Sequence, residues 1–293
     1  MKIGFIGLGL MGRPMALHLC HAGHELHLWA RRPAALEAFR DSGAHAHVSA
    51  AEVARASEVV FTMVSDAPDV VEVVFGAGGI VEAGAHNAGL VVVDMSTIAP
   101  AAARDISARL AGHGIEFLDA PVSGGEAGAI AATLTIMVGG KPAVFEKIRP
   151  LFDTLGKSVT LIGEVGAGQV AKACNQILTG VGIAALAEAF RFAEKSGVDP
   201  AKVREALMGG FAYSRILEHH GSRMLARNFK PGFKAWMQRK DLRIVMEEAH
   251  RLGLMLPSAA ATTQLFNAMV GCGQGDEDAI ALLKLLEKMS GQE

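Results

Sequence analysis

The sequence predicts an α/β domain with a parallel sheet, followed by an all-helical domain. Three observations carry this: short apolar runs of strand length alternate with helical patterns up to about residue 163, a glycine-rich turn follows the first run, and no convincing strand occurs afterwards. At 293 residues, the length suits about two domains with buried cores.

Residues 3–6 form the first strand-like run, and residues 14–22 place Met15, Leu17 and Leu19 in a helix-compatible stretch. Residues 26–29 read as a second strand, followed by a helical stretch over 33–41 that ends before Gly43. Further strands are expected at 59–64, 90–94, 117–120 and 133–138, with a helix at 101–111 between two of them. Continuous apolar runs of this length are buried on both faces, which predicts a parallel sheet with helices on both sides. Residues 166–195 could form one long helix, and further helices are expected at 200–208, 214–226, 236–252, 258–269 and 276–289. The division is placed between a first domain of residues 1–163 and a second of 164–293.

Composition narrows the function classes. Lys plus Arg number 28 against 30 Asp plus Glu, a formal charge of −2, so no global field recruits nucleic acid or an anionic membrane and a small molecule is the expected partner. The longest uncharged interior stretch, residues 173–187 with Asn175 and Gln176 inside it, is shorter than the roughly 20 residues that span a bilayer. Glycines break the apolar N-terminus, which is unlike an export signal, and Cys20, Cys174 and Cys272 are too scattered for a disulfide framework. A cytoplasmic protein is expected. His18, His21, His24 and His27 recur every third residue but cannot all face one point, and the His219–His220 pair reads as surface helix, so no metal is expected.

The strongest local signal is Gly7-Leu8-Gly9-Leu10-Met11-Gly12, placed after a strand and opening a helix. In a Rossmann-type turn, the first glycine permits the tight turn and the second lets the backbone approach a pyrophosphate. The third packs helix on strand, with the phosphate at the helix N-terminus. At the end of the second strand, where an acid would accept hydrogen bonds from the ribose of NAD, the chain has Arg31 and Arg32. Two solvated arginines at a turn are one reading; an arginine fork on a 2′-phosphate, hence NADP, is the other.

Ser96 and Thr97 close another strand, and Asp119-Ala120-Pro121-Val122-Ser123-Gly124-Gly125 ends in a turn whose hydroxyl and amides can bind a carboxylate. Lys172 and Asn175 are three apart on one helical face beside Val170, Ala171 and Ala173. Apolar neighbours should lower a lysine's pKa and suit it to proton transfer; alone, Lys172 reads more often as a lysine whose head reaches solvent.

Together these residues resemble the β-hydroxyacid dehydrogenase family, which is related to 6-phosphogluconate dehydrogenase. The resemblance runs through the whole chain in four ordered motifs: GLGLMGRPMA from Gly7, DAPVSGG from Asp119, GEVGAGQVAKACN from Gly163 and KDL from Lys240. It implies a Rossmann-type domain and a helical domain joined by a long helix. It further implies Lys172 as the catalytic lysine, Asn175 as a substrate-holding residue, and Ser123, Gly124 and Gly125 as the substrate carboxylate loop. Val64, Ser65 and Thr97 match cofactor-contacting positions, and Lys240 a lysine of the second domain that reaches the cofactor. NADP-preferring relatives end the second strand in Asn-Arg-Thr, whereas this chain has Ala30-Arg31-Arg32, so NAD stays open as cofactor.

The implied reaction moves a hydride between the nicotinamide and a small 3-hydroxy or 3-oxo acid. Asn228 to Phe233 and Glu126 resemble the tartronate semialdehyde (2-hydroxy-3-oxopropionate) reductases of the family, whose product is D-glycerate, more than its 3-hydroxyisobutyrate dehydrogenases. Related semialdehyde or glyoxylate reductases are alternatives, as is a non-catalytic NADP-binding sensor. The resemblance also implies a homodimer or homotetramer assembled through the helical domain.

Overall fold

The computed structural model describes residues 1–291, except for the side chains of residues 85–87. The chain divides into two compact units, Met1–Lys172 and Ala173–Glu293.

In the first unit, β1 (Lys2–Ile6) leads through the glycine turn into α1 (Gly12–His21) and β2 (Glu25–Trp29). There follow β3 (His45–Ala46), α2 (Ala50–Arg55), β4 (Val59–Thr62), α3 (Ala67–Phe75), β5 (Val91–Asp94) and α4 (Pro100–Ala111). The unit closes with β6 (Glu116–Asp119), β7 (Val122–Ser123), α5 (Gly125–Ile130), β8 (Leu134–Gly139), α6 (Pro142–Leu155), β9 (Gly156–Gly163) and the first turn of α7 (Ala167–Lys195). The sheet runs β3-β2-β1-β4-β5-β6-β8-β7, with β9 on β8. Its first six strands are mutually parallel in the doubly wound order, so the order reverses between β1 and β4 and leaves a crevice at their C-terminal ends.

The apolar runs behave as predicted because both sheet faces are covered. Ile3, Phe5 and Phe61 pack with Met15 and Leu19 of α1 and Phe152 of α6 on one face. On the other, Ile6, Val60 and Val92 pack with residues of α2, α3 and α4.

Several expectations are corrected. The sheet is mixed, since β8 runs antiparallel to β6 and β7. Strand β9 was not anticipated because it is half exposed: Lys157, Ser158, Thr160 and Ile162 are exposed and only Val159 and Leu161 between them are partly covered, so it forms no apolar run. The predicted strand over 59–64 stops at Thr62, leaving Val64 in the following loop, and the stretch after β2 is a 3₁₀ helix, Pro33–Phe39.

The second unit carries the rest of α7, then α8 (Pro200–Leu207), α9 (Gly221–Leu225), α10 (Ala235–Leu252), α11 (Pro257–Gly271) and α12 (Leu282–Met289). The helix expected over 214–226 is a π-turn at Ile216–His220 running into α9, and α12 is preceded by a 3₁₀ turn, Ala279–Ala281. His220 is not a surface residue: it is half-buried, and burial pushes its pKa down to about 4. By length and composition α7 could cross a bilayer. It is nevertheless a core helix, burying Ile183, Ala187 and Phe190 among Leu242, Phe266 and Leu282, with Gln176 and Arg191 also buried.

Candidate active site

At the crevice, each glycine of the first turn does a different job. Gly7 has φ +100°, and a Cβ there would lie 2.2 Å from the Met63 carbonyl oxygen. A Cβ on Gly12 would lie 1.9 Å from the Gly7 carbonyl oxygen, whereas one on Gly9 meets nothing within 4 Å. Gly9 therefore borders open space, as a backbone that a pyrophosphate approaches must. The first turn of α1 has no acidic residue and no side-chain cap; the Arg13 and Met15 amides donate to the Gly9 and Met11 carbonyls and Pro14 has no N–H, so what this end offers an anion is the positive end of the helix dipole. Leu8 and Gly12 are buried, Met11 is half-buried, and Leu10 is 54% exposed beside the opening. A dinucleotide fits this cradle.

The rim is built by the loops after β4 and β5. Asp94, buried at the end of β5, accepts from Thr62 Oγ1 at 2.8 Å and from the Ser96 amide at 3.2 Å. Ser96 Oγ accepts from the Val64 amide at 2.9 Å, which ties the Val64–Ser65 loop to Thr97's neighbour. Ser65 is exposed and Thr97 half-buried. Arg31 is exposed past β2, with its guanidinium 3.6 Å from Asp69 Oδ1 of α3. Arg32 is exposed beside it.

Asp94 Oδ2 has no hydrogen-bond partner among the described residues. Burial raises this carboxyl to about 6, against the downward pull of bonds from Ser96 and Thr62. The acid is neutral in both folded and unfolded states below 3.8, and the stability of the neutral form is lost as pH rises through about 6. Asp94→Asn is therefore expected to gain on the native protein by about 2 kcal/mol between pH 4 and pH 7. Urea melts at the two pH values measure this; a constant offset between the two proteins would contradict it.

Asp119, in register with Asp94, holds the start of α7. Its two carboxylate oxygens accept from the Gly166 amide at 2.7 Å and the Gln169 amide at 2.8 Å. Burial pushes this carboxyl up, and those two amides oppose the shift. The approach is close: a Cβ on Gly168 would lie 2.4 Å from the Met137 carbonyl oxygen and 2.7 Å from that of Asp119.

Three residues after Gln169, Lys172 turns inward. It is 7% exposed, and its Nζ donates to the Val122 carbonyl at 2.7 Å. That carbonyl adjoins Ser123, so the ammonium stands at the Ser123-Gly124-Gly125 turn, where Gly124 and Gly125 have φ of 133° and 61°. Gly124 is exposed, and Ser123 and Gly125 are half-buried, leaving the turn open to a ligand. A buried amino group beside a hydroxyl and free amides can hold a small carboxylic acid and exchange a proton with that ligand's hydroxyl or carbonyl oxygen.

In the helical unit, Asn175 Nδ2 donates to Gln176 Oε1 at 2.7 Å, and Gln176 Nε2 donates to Asp241 Oδ2 at 2.6 Å. Lys240 pairs with Asp241 Oδ1 at 2.9 Å. Both residues singled out here thus hang on one buried acid.

Asp94, Ser96, Asp119, Gln169 and Asp241 were not singled out from the sequence as site residues. A signal existed for two of them: Asp94 and Asp119 each terminate an apolar strand run, where a buried carboxylate must find donors.

Residues 2–163 match the NAD-binding domain of 6-phosphogluconate dehydrogenase. Residues 166–286 match the NAD-binding domain of NADP-dependent 3-hydroxyisobutyrate dehydrogenase. The chain is 48% identical to 2-hydroxy-3-oxopropionate reductase of Escherichia coli (strain K12), covering 99% of this chain and 98% of the relative. It is 38% identical to 2-(hydroxymethyl)glutarate dehydrogenase of Eubacterium barkeri, covering 99% and 96%. A solved Mycobacterium tuberculosis 3-hydroxyisobutyrate dehydrogenase with L-serine superposes with a TM-score of 0.86 at 31% identity, covering 97% and 98%. With a dinucleotide cradle at the crevice of its doubly wound sheet, the chain belongs to the 3-hydroxyisobutyrate dehydrogenase family of nicotinamide-linked oxidoreductases acting on CH–OH groups.

Proposed function

We propose that the protein reduces 2-hydroxy-3-oxopropionate to D-glycerate with NADPH, Lys172 acting as the proton donor. The observation that carries the reading is the buried Lys172 ammonium on Val122 beside the Ser123-Gly124-Gly125 turn. The Escherichia coli reductase, alike over nearly the full length of both chains, supports the substrate.

NADPH, when bound, supplies the hydride. Gly7, Leu8, Gly9, Leu10, Met11 and Gly12 hold the pyrophosphate, and Val64, Ser65 and Thr97 line the path to the nicotinamide. Ser123 Oγ and the amides of Gly124 and Gly125 bind the substrate carboxylate, which fixes the carbonyl near Lys172. In reduction Lys172 Nζ gives a proton to the developing alkoxide; in oxidation the neutral amine removes the hydroxyl proton. Asn175 and Lys240, which the resemblance assigns to substrate and cofactor, are both oriented within the helical unit through Asp241, Asn175 by way of Gln176. No metal enters these roles.

Arg31 selects NADP over NAD. What supports this is that no acid ends β2, that the exposed Arg31 guanidinium is held only at 3.6 Å from Asp69, and that Arg32 adds charge beside it. One experiment tests both halves of the proposal: NADPH and NADH oxidation with tartronate, methylmalonate and succinate semialdehydes and glyoxylate, for the native protein and Arg31→Ala. Tartronate semialdehyde with NADPH is expected to be fastest, and Arg31→Ala to raise the NADPH KM about tenfold or more, equivalent to a lost charge-assisted bond. Preference for methylmalonate semialdehyde would make the protein a 3-hydroxyisobutyrate dehydrogenase, and no turnover at all a sensor. Equal NADPH KM values would remove Arg31 from the role.

The protein is further proposed to be a cytoplasmic homodimer or homotetramer. Its three cysteines are free, and Leu178, Ala185 and Phe192 line one exposed face of α7 at seven-residue spacing. A second copy would cover that stripe, and sedimentation of a monomer would contradict it.

A further inference from the structure

Gln169 stands one helical turn ahead of Lys172, is 1% exposed, and carries no charge to move. Its side chain nevertheless makes two bonds to the loop after β5. Nε2 donates to the Ser96 carbonyl at 2.8 Å, and Oε1 accepts from the Ile98 amide at 3.1 Å. One partner can only accept and the other only donate, so the amide orientation is determined by the backbone it meets.

The two bonds straddle Thr97. Its neighbours are held on both sides. The same loop continues the network: Ser96 Oγ accepts from the Val64 amide, and Asp94 accepts from Ser96 and Thr62. At the other end the Gln169 amide donates to Asp119, so the clamp is anchored at its base as well as its tip. A continuous buried polar chain thus crosses the C-terminal ends of β4, β5 and β6 and ends in the helix that carries Lys172.

We infer that Gln169 is a positioning residue: it locks the Thr97 loop to the start of α7, holding the cofactor-lining loops and the proton-donating lysine in one register. The inference rests on the proposed roles of Thr97 and Lys172. Hydride transfer needs the two reacting atoms within a narrow range of distances, and a displacement of about 1 Å can cost on the order of 10²-fold. Two loops that lined the cofactor independently of α7 would lose that register with each fluctuation. A carboxamide suits the task because it donates and accepts in one plane without a buried charge.

The experiment compares native protein, Gln169→Met and Gln169→Glu. Methionine fills a similar volume and makes neither bond. A protonated glutamate can reproduce both, donating from its OH to Ser96 and accepting from Ile98, whereas the carboxylate cannot donate. Three readouts are taken: hydrogen exchange of the 96–98 amides without cofactor, the NADPH Kd by fluorescence, and the kinetic isotope effect on kcat with 4-deuterated NADPH.

In Gln169→Met the 96–98 amides are expected to lose protection while the β5 strand keeps it. The NADPH Kd should rise about tenfold, the equivalent of one to two hydrogen bonds, and the isotope effect should grow as hydride transfer becomes limiting. Gln169→Glu should match the native protein at low pH and turn into the methionine phenotype as its carboxyl ionises. Unchanged protection and Kd in Gln169→Met would overturn the inference. So would equal behaviour of Met and Glu variants at every pH, which is what a space-filling role gives. Failure of the catalytic reading is separable, because exchange and Kd are measured without turnover.

Discussion

Lys172→Met is expected to slow carbonyl reduction by about 10²- to 10⁴-fold, the usual worth of a general acid, with the NADPH Kd unchanged. Methionine is the informative replacement because Lys172 is 7% exposed and its stem packs in the interior. An alanine would open a cavity and mix a packing loss with the loss of the proton donor. The lysine's bond to the Val122 carbonyl places it beside the turn proposed to bind substrate, and the proposed pyrophosphate cradle is built of other residues, which is why cofactor binding and catalysis should separate. Single-turnover hydride transfer and fluorescence titration measure the two parts. Native-like turnover by Lys172→Met would end its assignment as proton donor, and loss of NADPH binding would show that the lysine holds the cofactor instead.

Gly12→Ala and Gly9→Ala are expected to fail in different ways, although both insert one methyl group into the same turn. At Gly12 the new carbon would sit 1.9 Å from the Gly7 carbonyl oxygen and 3.0 Å from Phe5. Backbone must move, so a stability loss of about 1–3 kcal/mol is expected together with weakened cofactor binding. At Gly9 the methyl meets no protein atom within 4 Å, so stability should stay within about 0.5 kcal/mol. The methyl instead occupies the space proposed for the pyrophosphate, and the NADPH Kd should rise about 10- to 100-fold, or about 1.4–2.8 kcal/mol. Thermal melts with and without NADPH separate these outcomes, since ligand stabilisation falls with affinity. A Gly9→Ala protein that melts normally and is still stabilised by NADPH would move the pyrophosphate elsewhere.

Much of the first unit was readable along the chain because its strands are apolar on both faces. A run such as Val91–Asp94, buried from end to end, announces itself without its neighbours. Strand β9 did not, because one of its faces is exposed and its pairing with β8 depends on a partner more than a dozen residues away. The two-residue strand β7 is set only by its antiparallel register with β8, Val122 against Ile136 and Ser123 against Thr135. That register nevertheless carries the Val122 carbonyl on which Lys172 rests.

The same contrast holds in the candidate site. Gly7, Gly9 and Gly12 are legible because a tight turn and a close approach restrict residue type locally, whatever the rest of the chain does. Lys172 and Asn175 share a helical face by spacing alone. Asp119 and Gln169 were not legible in role, since a buried carboxylate and a buried carboxamide are explained only by the partners they find. Those partners lie 47 to 73 residues away, at Gly166, Gln169, Ile98 and Ser96.

By itself the sequence determined the α/β domain, the helical domain after it and the dinucleotide turn, because periodicity and local backbone geometry are short-range properties, while the residues proposed for chemistry came from the resemblance carried by the four ordered motifs. Only the tertiary structure decided that β8 runs against its neighbours, that Lys172 is buried on the Val122 carbonyl, and that Gln169 clamps the loop around Thr97. Each of these depends on which distant groups remain to satisfy a buried polar atom once the sheet is closed, and that accounting exists only in three dimensions.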